Sequence, residues 1–367
     1  MQSFKNTSLY CTFVFSLAFS ACTIHPKSWQ PMPTPAFEGT TTLNEKLSTA
    51  YKLSITSKTQ KGFGPEDIIF DKAGNLYCGV HNSATDFSDG RILKINPKGE
   101  VEVYYAAESW VAGLHFDADS NLIALSHREG LISISLDKKV KVLATQDENG
   151  NRFLIPNGLD IASDGKIYFS NTSDVSAYTI NYGRKVILEM KPIGGFYCYD
   201  PQTGKVKTLI KGTYFGNGVV LSKEENYVLL VETSKYRVLK YWIKGVKTGQ
   251  TEIFIDNLPG FPNGISIRED GSYWLGFSTK RTDALDKIHP KTGMKQLVYA
   301  LPDFMQPKAE KFGMVMHIST DGKILKSLFD TKGMVMPEAG AVKEHNGYLY
   351  MGGDVVPHIG RYQLTDK

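Results

Sequence analysis

Residues 159–171, LDIASDGKIYFSN, and 265–277, ISIREDGSYWLGF, decide the fold. Each is an apolar segment of period two, a turn of Asp and Gly, and a second segment rich in aromatic and β-branched residues. That pattern is a β-hairpin with one buried face. Working outward, the pattern recurs at 68–80 (IIFDKAGNLYCGV), 114–126 (LHFDADSNLIALS), 219–232 (VVLSKEENYVLLVE) and 341–353 (AVKEHNGYLYMGG). The first residue after the turn is Leu76, Leu122, Ile167, Tyr227, Tyr273 and Leu349, at intervals of 46, 45, 60, 46 and 76. Three intervals have the length of a four-stranded blade. The two longer ones hold insertions at 174–193 and within 283–313, the latter with a helical stretch expected at 284–300. A second hairpin follows each of the first five units, at 90–105, 130–143, 195–209, 236–255 and 316–329. The sixth unit ends with 359–364 and lacks a fourth strand, which segment 51–57 is placed to supply. Closing a ring with strands from both ends leaves no open edge. The expected fold is all-β: a six-bladed β-propeller over residues 46–367, closed by an N-terminal strand that completes the last blade.

The remaining sequence is read as export and anchoring. Lys5 precedes an apolar run, Leu9–Phe19, too short to span a bilayer as a mature helix. Phe19-Ser20-Ala21-Cys22 resembles a bacterial lipobox, in which the cysteine is acylated and becomes the new N-terminus. Residues 1–21 are therefore expected to be a lipoprotein signal peptide, with a plain secretory signal as the alternative. Cys22 is the expected lipid anchor, and residues 22–45, with four prolines, the expected tether. Thr23 after the cysteine points to the outer membrane, facing the periplasm, as the place in the bacterial cell envelope. Cys78 and Cys198 read as buried small apolar residues, and no Cys/His spacing suits zinc. The net charge of +4, from 42 basic and 38 acidic residues, is spread along the chain without a basic block. Nucleic acid is not expected as a partner.

The first strand of each blade opens with one residue, then glycine, then an apolar residue, except that Asp67 stands in the glycine's place in the first blade. The opening positions are Glu66, Ala112, Asn157, Asn217, Asn263 and Ala339. Innermost strands line the axis of a propeller, so these six positions meet at one mouth of the channel. One carboxylate and three carboxamides converging there suit a hard divalent cation, calcium before magnesium, and offer no soft ligand. Asn-Gly is also a common turn dipeptide, but three copies at one point of three repeats are hard to read as turns alone. The second strand returns to the same face, bringing His81-Asn82, His127-Arg128, Asn171-Thr172, Glu232-Thr233, Ser278-Thr279 and Asp354. His127 or His81 is placed there as a general base or a substrate contact. Bracing of the blades is the alternative, and Glu232 with Arg237 equally reads as a structural ion pair.

GPEDIIFD (64–71), IPNGLDIASDGKIYFSN (155–171), the run from FGNGVV at 215 to FPNGIS at 266, and EHNGYLYMGG (344–353) resemble strictosidine-synthase-like proteins. Beyond them lie the calcium-dependent paraoxonase, gluconolactonase and senescence-marker-protein groups. The resemblance covers most of residues 62–365. It implies a six-bladed propeller with a metal at the channel mouth and, in the lactonase branches, a calcium-dependent hydrolase. Carried over by position, Glu66, Asn157 and Asn217 match the metal ligands. Asn263 stands where relatives carry Asp, and Asn157-Gly158 replaces an Asn-Asp, with Asp160 close by. The glutamate that plant strictosidine synthases use for condensation has no counterpart in register, Glu338 being only nearby, so that chemistry is not expected. The resulting expectation is a hydrolase of lactones or related esters, with His127 or Asp354 activating water on a small-molecule substrate. The competing expectation is a non-catalytic envelope propeller that binds a ligand or protein through its insertions and uses the cation as a structural clip.

Overall fold

The computed structural model describes residues 24–37, 40–42, 47–53, 62–82, 89–175, 182–302 and 304–364. The expected signal peptide and Cys22 lie outside the described residues. Six sheets follow the repeat. The inner strands of blades one to six are Ile68–Phe70, Val111–Phe116, Pro156–Ile161, Gly216–Leu221, Gly260–Ile267 and Ala341–His345. Each sheet is an antiparallel meander of four strands, except for one extra strand in blade five. The Asp turns foreseen in the hairpins are real. Asp71 Oδ1 accepts from the backbone N–H groups of Ala73 and Asn75, while Asn75 Nδ2 donates to Oδ2 at 2.7 Å. Asp117 and Asn121 repeat the device one blade on, so the side chain fixes the turn before the strands pair.

The core is a circle of six apolar clusters, one between each pair of neighbouring blades. Between blades two and three, for example, Leu125 packs with Phe169 and Tyr197. The last blade is closed as expected, though by Ser48–Lys52 rather than 51–57. This strand pairs antiparallel with His358–Gln363, Thr49 opposite Gly360. Its position follows the flanking leucines: Leu47 sinks into the cluster between blades five and six, Leu53 into the one between six and one. Residues 54–61 lie outside the described residues.

The inner strands start, and the second strands end, on what is here called the upper face. Both insertions belong to it. The first holds helix α1 (Tyr182–Glu189), the second α2 (Asp283–Ile288) and α3 (Thr292–Ala300). The single helix expected at 284–300 is split because Pro290 bars continuation and disfavours helical geometry in the residue before it.

Residues 24–37 depart from the expected tether. They form a strap laid across these insertions: Lys27 N–H donates to Glu189 O, Trp29 N–H to His289 O, and Lys295 Nζ to Lys27 O at 2.7 Å. Ile24 is buried, and Trp29 packs edge-on to His289, with ring centroids 5.0 Å apart. Beyond the strap, Thr40–Thr42 adds a parallel fifth strand to blade five beside Ile324–Asp330.

Candidate metal centre

The glycine after each opening residue explains the recurrent Asn-Gly pairs, and they are not turns. Gly158, Gly218 and Gly264 sit inside strands around the channel. A Cβ on Gly158 would lie 2.7 Å from Asn217 O, and one on Gly218 2.6 Å from Asn263 O. From blade two to blade five the ring is drawn tight because Gly113, Gly158 and Gly218 abut the backbone carbonyl of the next blade's opening residue, and a Cβ on Gly264 would lie 2.7 Å from Gly340 O.

That contraction brings Glu66, Asn157, Asn217 and Asn263 together at the rim of a channel cavity of about 90 Å3. All four side chains are buried. Their polar atoms divide in a consistent way. Asn217 Nδ2 donates to Thr233 Oγ1 at 3.2 Å, Asn263 Nδ2 to Ser278 Oγ at 2.9 Å, and Asn157 Nδ2 to Glu66 Oε1 at 3.4 Å. Thr233 and Ser278 are the second-strand ends that the antiparallel pairing returns to this face. With the amide nitrogens committed sideways, the three Oδ1 atoms accept no hydrogen bond among the described residues. Glu66 Oε2 is likewise buried without a partner.

Two further carboxylates complete the environment. Glu338, one residue before the Ala339 opening position, is buried, and its Oε2 accepts from Val355 N–H at 3.3 Å. Asp354 has an Oδ1 shielded from water and unpartnered. Burial, then the charges of Asp354 and Glu338, hold the Glu66 carboxyl well above the usual carboxylate range. Burial followed by Asp354 does the same to Glu338. Burial pushes Asp354 up to about 7. Register alone does not select Glu338, which stands one residue before the Ala339 opening position.

Other sequence candidates separate. His127 and His81 flank Trp110 edge-on, at centroid distances of 5.3 and 5.1 Å, and His81 Nε2 bonds Asp354 O at 2.9 Å. Burial, then His81, pushes the His127 imidazole down to about 3. Neither His127 nor Asp354 lines the channel cavity. Glu232 and Arg237 form an ion pair at 2.6 Å, with Glu232 Oε1 also taking Tyr214 N–H, which is a brace. Asp160 is drawn away from the mouth: Oδ2 accepts from Leu221 N–H of the next blade, and Oδ1 lies 3.2 Å from His115 Nε2.

A hard cation fits these residues. The three amide oxygens border the cavity unengaged, and the buried Glu66 carboxyl has other carboxylates as its nearest charges and lacks the positive partner that a buried acid requires. Among the described residues no three His, Cys, Asp or Glu side chains form a ready-made ligand cluster.

Fold and site together define a six-bladed propeller with an oxygen-lined channel mouth. The strictosidine synthase family profile matches residues 157–246, and the strictosidine synthase-like N-terminal profile residues 44–95. Strictosidine synthase-like protein 10 of Arabidopsis thaliana is 31% identical, covering 82% of this chain and 85% of its own. The adipocyte plasma membrane-associated protein of Rattus norvegicus is 29% identical over 93% of both chains. The chain belongs to the strictosidine synthase-like family. Among solved structures, a gluconolactonase of Xanthomonas campestris superposes with a TM-score of 0.59 at 16% identity, covering 94% of this chain and all of its own. The calcium-binding regucalcin of Agrobacterium tumefaciens gives 0.57 at 14%, covering 89% and 96%. The fold is thus that of the lactonase-type propellers.

Proposed function

We propose that this chain is a calcium-dependent hydrolase of lactones or related esters, acting at the bacterial cell envelope. The observation that carries it is the set of unengaged oxygens, Glu66 Oε2 with the Oδ1 atoms of Asn157, Asn217 and Asn263, beside the unpartnered Asp354. The gluconolactonase and the calcium-binding regucalcin that share the fold support the reading.

When bound, the cation supplies polarisation of a substrate carbonyl and stabilisation of the charge that develops on its oxygen. The chain's residues do the rest. Thr233 and Ser278 hold the Asn217 and Asn263 amides with their oxygens turned to the axis. Asp354 stands behind the mouth rather than on the cavity wall, but its charge acts on both Glu66 and Glu338, and it is the carboxylate assigned to take the proton from the attacking water once the loop admits it. His81 fixes that loop through its bond to Asp354 O. His127, held neutral to about 3, is too weak a base to compete and acts with Trp110 as an apolar wall.

Calcium is expected to raise the melting temperature of the wild-type chain, a site held at a hundredfold excess over Kd adding about 2.7 kcal/mol. The chain is expected to cleave members of a panel of lactones and aryl esters only with calcium present. Glu66→Gln is expected to lose both responses. Calcium-dependent melting without turnover would leave a structural ion and overturn the hydrolase; neither response would remove the metal as well.

A further inference from the structure

We propose that the upper face docks on a lipid bilayer, so that the channel mouth opens toward the membrane. Three independent features of that face lead there.

The first is where large apolar side chains are exposed. Phe304, Met305 and Leu297 in the second insertion, Val175 in the first, Met334 after blade five and Val355 in blade six stand in upper-face segments. Their exposures run from 47% for Val355 to 81% for Phe304. The opposite face shows Leu136 and Val246, each alone in a turn of a different blade. Elsewhere on the ring the exposed apolar residues lie on outer strands, such as Val142 and Ile253. Concentration on one loop-built face marks an interaction surface rather than ordinary scatter.

The second is where the described chain begins. Ile24 is buried on this face, with Gln296 Nε2 of α3 donating to its carbonyl at 3.3 Å and Glu189 Oε1 of α1 accepting His25 N–H at 2.9 Å. Cys22 therefore starts only two residues from fixed structure, a reach of about 7 Å when extended. An acyl chain on Cys22 enters the bilayer beside α1 and α3, and the body cannot swing away as it would on a long tether. The inference rests in this part on acylation of Cys22.

The third is charge. Lys287, Lys291, Lys308 and Lys311 are exposed in the second insertion, against the exposed acids Asp283 and Glu310. Lysines bordering an apolar surface suit the headgroup layer, where ammonium groups reach phosphate while their stems lie along the hydrocarbon. A lipid surface satisfies all three features at once.

Hydrogen exchange of the acylated chain, free and on vesicles of phosphatidylethanolamine and phosphatidylglycerol, tests it. Exchange in residues 292–312, 331–336 and 353–357 is expected to slow by about tenfold on the vesicles, with the opposite turns at 135–138 and 243–250 unchanged. Phe304→Glu with Met305→Glu is expected to abolish that protection while keeping the melting temperature and the calcium response; Val246→Glu is expected to change nothing. The proposal is overturned by vesicle-bound protein whose upper-face segments exchange as in solution, by protection of the opposite turns, or by failure to bind vesicles.

Discussion

His289 shows how one side chain ties the strap to the body. It is fully buried, with Trp29 edge-on to its ring and Tyr236 Oη 3.5 Å from Nε2. Burial, then the charges of Lys295, Arg281 and Lys235, push its imidazole down to about 3. Unfolded, it titrates near 6.5, so between those values the unfolded chain binds the proton and the folded one does not. Stability is complete above pH 6.5 and is lost as pH falls, by up to about 1.4 kcal/mol per pH unit for each such histidine. His127 adds the same sign. Replacing His289 by Gln is expected to flatten the fall of melting temperature between pH 6.5 and 4, leaving the part due to His127. A variant with the wild-type slope would show that His289 is not held neutral. At this scale the sequence was informative where repetition spoke. Glu66, Asn157, Asn217 and Asn263 stood at equivalent places in their repeats, and symmetry brought them together. Glu338 was not legible because the equivalent position is its neighbour, Ala339, and only the packing of the loop after blade five turns the acid inward.

At the level of elements the strap carries the largest departure from expectation. Prolines at 26, 31, 33 and 35 read as a tether because composition reports only that no ladder forms. Prolines also suit an extended segment bound through its carbonyls, which is what Arg281 exploits. Its guanidinium donates to Met32 O at 2.7 Å, to Asn257 Oδ1 at 2.6 Å and to Asp286, and stacks on Tyr236 at 4.2 Å. With that side chain fully enclosed, Arg281→Met leaves Asp286 without its cation and Met32 O without a donor. The variant is expected to lose about 3–5 kcal/mol in urea unfolding and to expose residues 24–37 to limited proteolysis. Equal stability, with the strap still resistant, would mean that apolar contacts of Ile24 and Trp29 suffice. Proline also accounts for the helix read as one at 284–300: periodicity ran through Pro290, the backbone did not.

The whole ring was the most legible level, since six hairpins at blade spacing leave few alternatives to closure. The two insertions were visible as long intervals, but their packing on one face with the N-terminal strap was not, because nothing local encodes it. Closure concentrates stability at one seam. Leu53, just after the N-terminal strand, lies in the cluster with Ile68, Tyr350 and Ile359 that joins the sixth blade to the first. Leu53→Asp buries a lone carboxylate there and is expected to cost at least 3 kcal/mol and to split a single calorimetric transition into a broad one. A sharp, little-shifted transition would mean that the other strands hold the ring without the seam. The pairing of Ser48–Lys52 with His358–Gln363 also sets a timetable. Strand Ser48–Lys52, made before any of the blades it closes, has no partner until the one synthesised last emerges, so blades one to five wait as an unlocked spiral throughout translation. A chaperone that shields exposed strand edges would have its client for nearly the whole of that interval.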